Sequence, residues 1–282
     1  MKSEKRPETQ ASANQYLSRY AYTISLRRRD WAWEFLRRNP QFIEEAYEGY
    51  SSVERLASCI PGGKVLRTRA HQNKADVWGL LFFPNPDQFA PKADVFWAPE
   101  IDPCVVPMVV SERSLHEKDE MFAEVMEACT IDVFRDAHDT EHLLTRGKFA
   151  TAQSLCFGQS LLSGASVKLN LHIQSPDHVD FAYNAYRRAS AILHTGPWQW
   201  TERTQRMRNA LVCLDVKDAG LSLRHAAEII LGEERVEEEW NCNKSLRDRV
   251  RSCHRTGLRL RDGGYKKLFC STPIDAVLPI AS

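Results

Sequence analysis

The sequence of 282 residues has no apolar run near the length of about 18–20 residues that would cross a bilayer. Its start, MKSEKRPETQASANQ, is polar and lacks the apolar centre of a secretory signal. We therefore expect a cytoplasmic protein that does not bind membranes.

The cysteines are scattered, with no close pair among them. The eight are Cys59, Cys104, Cys129, Cys156, Cys213, Cys242, Cys253 and Cys270. Structural zinc sites need short spacings such as C-x2-C, so a zinc finger or ribbon is excluded. In the cytoplasm such cysteines are reduced and mostly buried, and we assign them no metal, cofactor or chemistry.

Motifs of catalysis are almost absent as well. The chain has no glycine-rich phosphate loop, nucleophile elbow or paired-carboxylate motif, and we expect no enzyme. His138-Asp-Thr-Glu-His142 does fit the H-x-x-E-H pattern of zinc peptidases. That pattern needs a helix, whereas strand-like segments flank it here and indicate a hairpin turn. A zinc hydrolase is thus an alternative that the context does not favour.

The net charge is also close to zero, at +1, yet one segment is strongly basic. Residues 243–267 contain nine lysines and arginines against only Asp248 and Asp262. Such a local excess is either a solvated helix face or a surface for a polyanion.

Helical spacing orders this basic segment. With the helix N-cap at or near Ser245, a buried stripe is expected at Leu246, Val250, Cys253 and Gly257. Another face carries arginines at every fourth position, namely Arg247, Arg251, Arg255 and Arg259. Aligned arginines repel one another, and phosphates relieve that repulsion. Pairing with the upstream glutamates 233, 234 and 237–239 is the other interpretation, but the pattern favours nucleic-acid binding.

The chain as a whole predicts an α+β fold with short antiparallel strands in a mixed N-terminal half. VWGLLFFP (77–84), ADVFWAP (93–99), VVPMVV (105–110), IDVFRD, FATAQSLCF and VKLNLHI are strand-like. Helices are expected near Trp31 with Asp30 as N-cap, after Asn39-Pro40, and from Ser175-Pro176 onward.

The C-terminal helices suggest a variant of the helix-turn-helix. A helix over 201–218 is followed by a glycine turn and a short helix over 223–231, capped by Ser222. A connector, GEERVEEEWNCN, then leads to the basic helix and is too long for the usual tight turn.

The stretch GLSLRHAAEIILGEERVEEEW, with SLRDRVRSCHRTGLRLRDGGYKKL after it, resembles the RovC-like DNA-binding domain of proteobacterial transcription activators. The resemblance runs from about Ala182 to Leu268. RRRDWAWEFLRRNPQF and WGLLFFPNPD are similar to the transcriptional-regulator-like segment that often precedes this domain. Together they resemble the frameshifted excision activators of rhizobial integrative and conjugative elements.

The resemblance implies a nucleoid-associated activator of excision and conjugation genes. Implied partners are double-stranded promoter DNA, a small antiactivator with a related domain, and further copies of the chain. An antiactivator that sequesters another regulator is the alternative function.

From these patterns we expect a tail over 1–15, a regulator-like domain over 16–110 and a linker or bridging helix over 111–135. A strand-rich segment over 136–175, a DNA-binding domain over 176–270 that folds alone, and a tail over 271–282 follow. The predicted DNA-binding residues are Lys244, Ser245, Arg247, Arg249, Arg251, Arg255, Arg259, Lys266, Lys267 and Arg224. Arg247 and Arg251 are expected to read bases, and Lys266 and Lys267 to contact phosphates.

Overall fold

The structure is a computed structural model that describes residues 15–269 except 59, 61, 115–124, 126, 149, 191 and 193–197. The α+β prediction is confirmed. The helices are α1 (Arg28–Leu36), α2 (Pro40–Tyr50), α3 (Asn73–Val77), α4 (Val179–Ser190), α5 (Glu202–Asp218), α6 (Leu223–Leu231), α7 (Glu233–Glu239) and α8 (Lys244–Arg261). The strands are β1 (Glu54–Leu56), β2 (Val65–Arg67), β3 (Val106–Glu112), β4 (Thr130–Arg135), β5 (Glu141–Arg146), β6 (Thr151–Gly158) and β7 (Val167–Leu171).

The strands form one seven-stranded sheet in the order β1-β2-β4-β5-β6-β3-β7. Strands β2 and β4 pair in parallel, as do β3 and β6, and the other neighbours are antiparallel. The sheet is therefore mixed, whereas the sequence predicts only antiparallel strands. Strands β4 and β5 form the hairpin predicted around residues 136–140, and β3, β6 and β7 confirm three further predicted strands.

Two strand predictions are wrong. Residues 77–84 and 93–99 pair only through an isolated bridge between Leu80 and Trp97. Their aromatic side chains are nevertheless fully buried, including Phe82 and Phe96. Aromatic and β-branched residues fit buried surfaces in general, so this composition indicated burial rather than a strand ladder.

The two faces of the sheet are covered by different parts of the chain. Helix α4 packs one face, where Ala185 joins Val106, Met108 and Cys156 in a common apolar cluster. On the other face Phe134 contacts Phe82 and Phe96, with ring centroids 4.5 and 5.4 Å apart. Farther along this face, Arg29 and Asp30 of α1 hydrogen-bond Gln153 and Thr151 of β6.

Helices α1 and α2, the loop before β3, and α5–α8 share one apolar core. It contains Trp33 and Trp97 from the N-terminal part together with Leu211, Val250 and Tyr265 from the C-terminal part. The expectation that residues 176–270 fold alone therefore needs revision, because side chains from both ends of the chain fill the same interior.

Several predicted helix ends are confirmed. The side chains of Asn39, Thr201 and Ser222 cap α2, α5 and α6. Asp30 is not an N-cap: α1 begins at Arg28, and the Asp30 carboxylate accepts a hydrogen bond from the Arg27 backbone N–H at 3.0 Å. The predicted connector is wrong in part, since residues 233–239 form helix α7.

Most of the segment predicted as a bridging helix, around Met121 and Phe122, lies outside the described residues. Within the described part of the chain, every helix is too short or too polar to cross a membrane.

Candidate DNA-binding interface

Helix α8 begins where its first turn finds a cap. The Asn243 side chain accepts a hydrogen bond from the Leu246 backbone N–H at 3.1 Å, so the helix starts at Lys244. Ser245, predicted at or near the N-cap, lies in the first turn and is exposed. The predicted inner stripe is confirmed: Leu246, Val250 and Gly257 are buried.

Gly257 sets how closely α8 approaches α5. A Cβ at this position would lie 2.7 Å from the Leu214 Cγ and 2.9 Å from the Ala210 carbonyl oxygen. These distances are shorter than a carbon contact allows, so a side chain here would push the two helices apart. The close packing holds α8 rigidly, with its opposite face towards solvent.

That opposite face is basic. Lys244, Arg251, Arg255 and Arg259 are all exposed, and within the described residues only Arg251 has an ion-pair partner, Asp248 at 3.2 Å. We call these four residues the basic face. Arg249 lies beside them and Lys267 follows the helix; both are exposed and have no ion pair in the described part of the chain.

Arg247 does not belong to this face. Each step of four residues rotates a helical position by about 40°, so Arg247 lies about 120° from Arg259. Its guanidinium donates hydrogen bonds to the backbone carbonyls of Trp240 and Asn241, at 2.7 and 2.8 Å. Arg247 thereby joins the end of α7 to α8.

Two more predicted residues have partners within the protein. Arg224 pairs with Glu228 on α6 at 3.2 Å. The Lys266 ammonium donates to the Val77 carbonyl at 2.7 Å. These contacts leave less of each charge available to a ligand than at the basic face.

The acidic helix α7 does not neutralise the basic face. Its Arg235 pairs with its own Glu239 at 2.9 Å, and Glu239 also accepts from Asn243. Among the described residues, no ion pair joins a glutamate of α7 to α8. The alternative that the arginines serve to bind these glutamates thus has no contact to support it.

The end of α8 is anchored to the N-terminal part. Gly263 takes the left-handed conformation, with φ of 105°, and turns the chain into a short 3-10 helix, Gly264–Leu268. A Cβ at Gly264 would lie 2.4 Å from the Arg259 carbonyl oxygen. The Tyr265 hydroxyl, fully buried, donates to the Trp78 carbonyl at 2.9 Å, and Phe269 packs edge-on against Trp97.

A second anchor joins α5 to the end of α1. Arg38 donates from Nε and Nη2 to the two carboxylate oxygens of Asp215, at 2.6 and 2.9 Å. It also donates to Glu34 at 2.8 Å, and the Tyr20 hydroxyl donates to Asp215 at 2.5 Å. Burial raises the pKa of the Asp215 carboxyl, but the hydrogen bonds and charge of Arg38 lower it by more, so the pKa lies below its usual value.

Sequence analysis missed one basic flank. Burial raises the pKa of the Cys253 thiol on α8, and the charges of Arg249 and Arg206 oppose this rise. Arg206 is exposed on the first half of α5 and therefore lies on the same side of α8 as Arg249. A search for basic residues in the helix that packs on α8 could have found it.

The H-x-x-E-H motif does not form a metal-binding helix. Glu141 is buried at the start of β5 and accepts hydrogen bonds from Arg135, Ser160 and the Leu161 N–H. Its carboxylate is thus occupied by structural contacts. In the described ranges no group of three or more His, Cys, Asp or Glu side chains is placed to hold a metal ion.

Comparison with protein families agrees with both ends of the chain. Residues 173–269 match the RovC family, described as a T6SS transcription-factor DNA-binding domain. Residues 15–83 match a proteobacterial transcriptional regulator-like domain. No curated protein matches the sequence. The basic face, Gly257 and the 3-10 helix after α8 all lie within the first of these segments.

Proposed function

We propose that this chain, a DNA-binding transcriptional regulator by its two matched domains, contacts promoter DNA through the basic face of α8. The observation that carries the proposal is that Arg255 and Arg259 are exposed, adjacent by one turn and without an ion-pair partner in the described residues.

The electrostatic argument is direct. Guanidinium groups held one turn apart on a helix repel one another, by a few tenths of a kcal/mol per exposed pair. DNA phosphates remove this repulsion and release condensed counterions, which favours association. The basic face spans 15 residues from Lys244 to Arg259, about 22 Å along the helix, and the major groove of B-DNA admits an α-helix.

The packing on the other side of α8 supports the same role. Base contacts need side chains held in a constant position, and rigid elements supply this better than loops. The close contact at Gly257 and the hydrogen bonds of Tyr265 and Arg247 fix the helix at both ends and in its middle.

We expect the affinity for a mixed-sequence duplex to fall steeply with salt. Six basic groups face solvent on or beside α8: Lys244, Arg249, Arg251, Arg255, Arg259 and Lys267. If all contact phosphates, the slope of log K against log salt is about −5, and it falls in magnitude by about 2 in the variant R255A/R259A. Fluorescence anisotropy measures both slopes. The matched control is R55A/R69A, which removes two arginines from the region of β1 and β2. A flat slope for the wild type would contradict the proposal.

Arg247 and Arg255 are expected to behave differently when each is replaced by alanine. R247A removes two hydrogen bonds from a charged donor to backbone carbonyls, and should lower the free energy of unfolding by about 1.5–3 kcal/mol. R255A should leave stability almost unchanged and weaken DNA binding by about 1–3 kcal/mol if it reads a base. Urea denaturation and anisotropy separate the two effects. The assignment is wrong if R247A keeps wild-type stability and loses as much affinity as R255A.

We further propose that the regulated genes are excision and transfer genes of a mobile element and that the chain activates them, without catalysis of its own. The resemblance of both terminal segments to excision activators supports this target. The exposed basic face favours DNA contact over the alternative, sequestration of another regulator. Chromatin immunoprecipitation with sequencing, combined with a reporter fused to each enriched promoter, tests target and sign together. Absence of promoter enrichment, with co-purification of another regulator, would favour the antiactivator.

A further inference from the structure

Helix α4 has an outward ridge that is complementary to itself. Asp180, Tyr183, Asn184 and Arg187 recur at i, i+3, i+4 and i+7, so they lie along one side of the helix. The stripe opposite contains Ala182 and Ala185, which are buried against the sheet. We call the four residues the α4 ridge.

The surroundings of the ridge are unusually apolar for a solvent-facing helix. Val179 and Phe181 are each 44% exposed and Tyr183 is 53% exposed. In the described part of the chain, nine large hydrophobic side chains reach comparable exposure, and these three fall within five consecutive residues. An exposed cluster of this kind marks an interaction surface more often than scattered single residues do.

The order of charges along the ridge identifies the partner. Asp180 lies at one end and has no ion-pair partner among the described residues, while Arg187 lies at the other end over the Tyr183 ring, 5.8 Å from its centroid. When two copies of α4 pack antiparallel about a two-fold axis, Asp180 of each copy faces Arg187 of the other. Tyr183 then faces Asn184 in both directions. A two-fold contact requires this reciprocity, in which residue i meets j and j meets i.

From this complementarity we propose that the chain forms a two-fold dimer through the α4 ridge. The occupant of the exposed aromatic surface is a second copy of the same helix. Stable interfaces usually bury about 1,200–2,000 Å², and one helix pair supplies less, so the free dimer dissociates readily. Two tethered DNA-binding surfaces raise the affinity for a pair of half-sites, so DNA stabilises the dimer. The contact itself does not depend on which face of α8 meets the DNA.

Charge exchange in the full-length chain tests the proposal. The variant D180R places two arginines opposite each other at both ends of the contact, and R187D does the same with two aspartates. Each should weaken self-association by about tenfold or more, as unfavourable charge pairs do at interfaces. The double variant D180R/R187D restores both opposite-charge pairs and should return to within a few-fold of the wild type.

Sedimentation velocity over a range of concentrations measures the association, and circular dichroism checks that each variant is folded. The control is E48R on α2, since Glu48 is 72% exposed and lies in a different helix; its association should match the wild type. A wild-type chain that stays monomeric at all concentrations would overturn the proposal. A double variant as weak as the single ones would also overturn it, because the two charges would then not face each other.

Discussion

The isolated fragment 176–269 is expected to be unfolded, although it contains the whole segment that matches the DNA-binding family. Its removal from the rest of the chain exposes Tyr265 and Phe269, which are 0% and 5% exposed in the full chain. Each such side chain contributes about 2 kcal/mol by burial. The fragment also loses Arg38 as the partner of Asp215, and α4 loses the sheet face against which it packs.

These losses are comparable with the whole stability of a domain, about 5–15 kcal/mol. Circular dichroism in urea measures the outcome: the full chain should unfold cooperatively, and the fragment should show no transition. Addition of the separately produced segment 15–175 should restore helical signal, since it supplies the missing partners of Tyr265 and Asp215. A cooperative transition of the fragment alone would show that the shared core is dispensable and that the predicted boundary at residue 176 is real.

The variant D215N is expected to lose about 3–5 kcal/mol of stability, because it leaves Arg38 buried without its main counter-charge. The control is D218N, one turn later on α5. Asp218 is 52% exposed and lies 3.6 Å from Arg261, so its loss should cost less than about 1 kcal/mol. Equal losses in the two variants would show that the Arg38–Asp215 pair contributes no more than a surface ion pair.

The same pair gives a pH dependence with a definite sign. The pKa of Asp215 is lower in the folded chain than its ordinary value near 3.9, because Arg38 holds the carboxylate charged. The contribution is therefore complete above about pH 4 and is lost as the pH falls through the folded pKa. The difference in stability between wild type and D215N should stay constant from neutral pH to about pH 5 and shrink below pH 4. A difference that persists in acid would contradict this assignment.

Local rules of the sequence predicted the helical C-terminal half well. Ser222 and Gly232 mark the ends of α6 because a hydroxyl caps the first turn and a glycine with φ of 93° ends the last. The inner stripe of α8 follows from a period of 3.6 residues. Helix α7 was missed because five glutamates read as a charged connector, although glutamate is a good helix former and Val236 supplies a buried contact.

The candidate interface was predicted in part. Periodicity separated the buried from the exposed side of α8, but a four-residue repeat overstated the alignment of Arg247 with Arg259. Only the tertiary structure shows that the carbonyls of Trp240 and Asn241 take up the Arg247 guanidinium and that Val77 takes up Lys266. Spacing along one helix does not reveal a backbone acceptor that arrives from another segment.

By itself the sequence determined the α+β class, the ends of most helices, and the local excess of positive charge on α8, since each depends on residues near one another in the chain. The tertiary structure decided which arginines remain unpaired, how the aromatic loops 77–84 and 93–99 are buried, and that Trp97 packs against Phe269 across most of the chain. These are contacts between distant segments. Their partners are chosen by the complementarity of whole surfaces, which no periodicity within a single segment records.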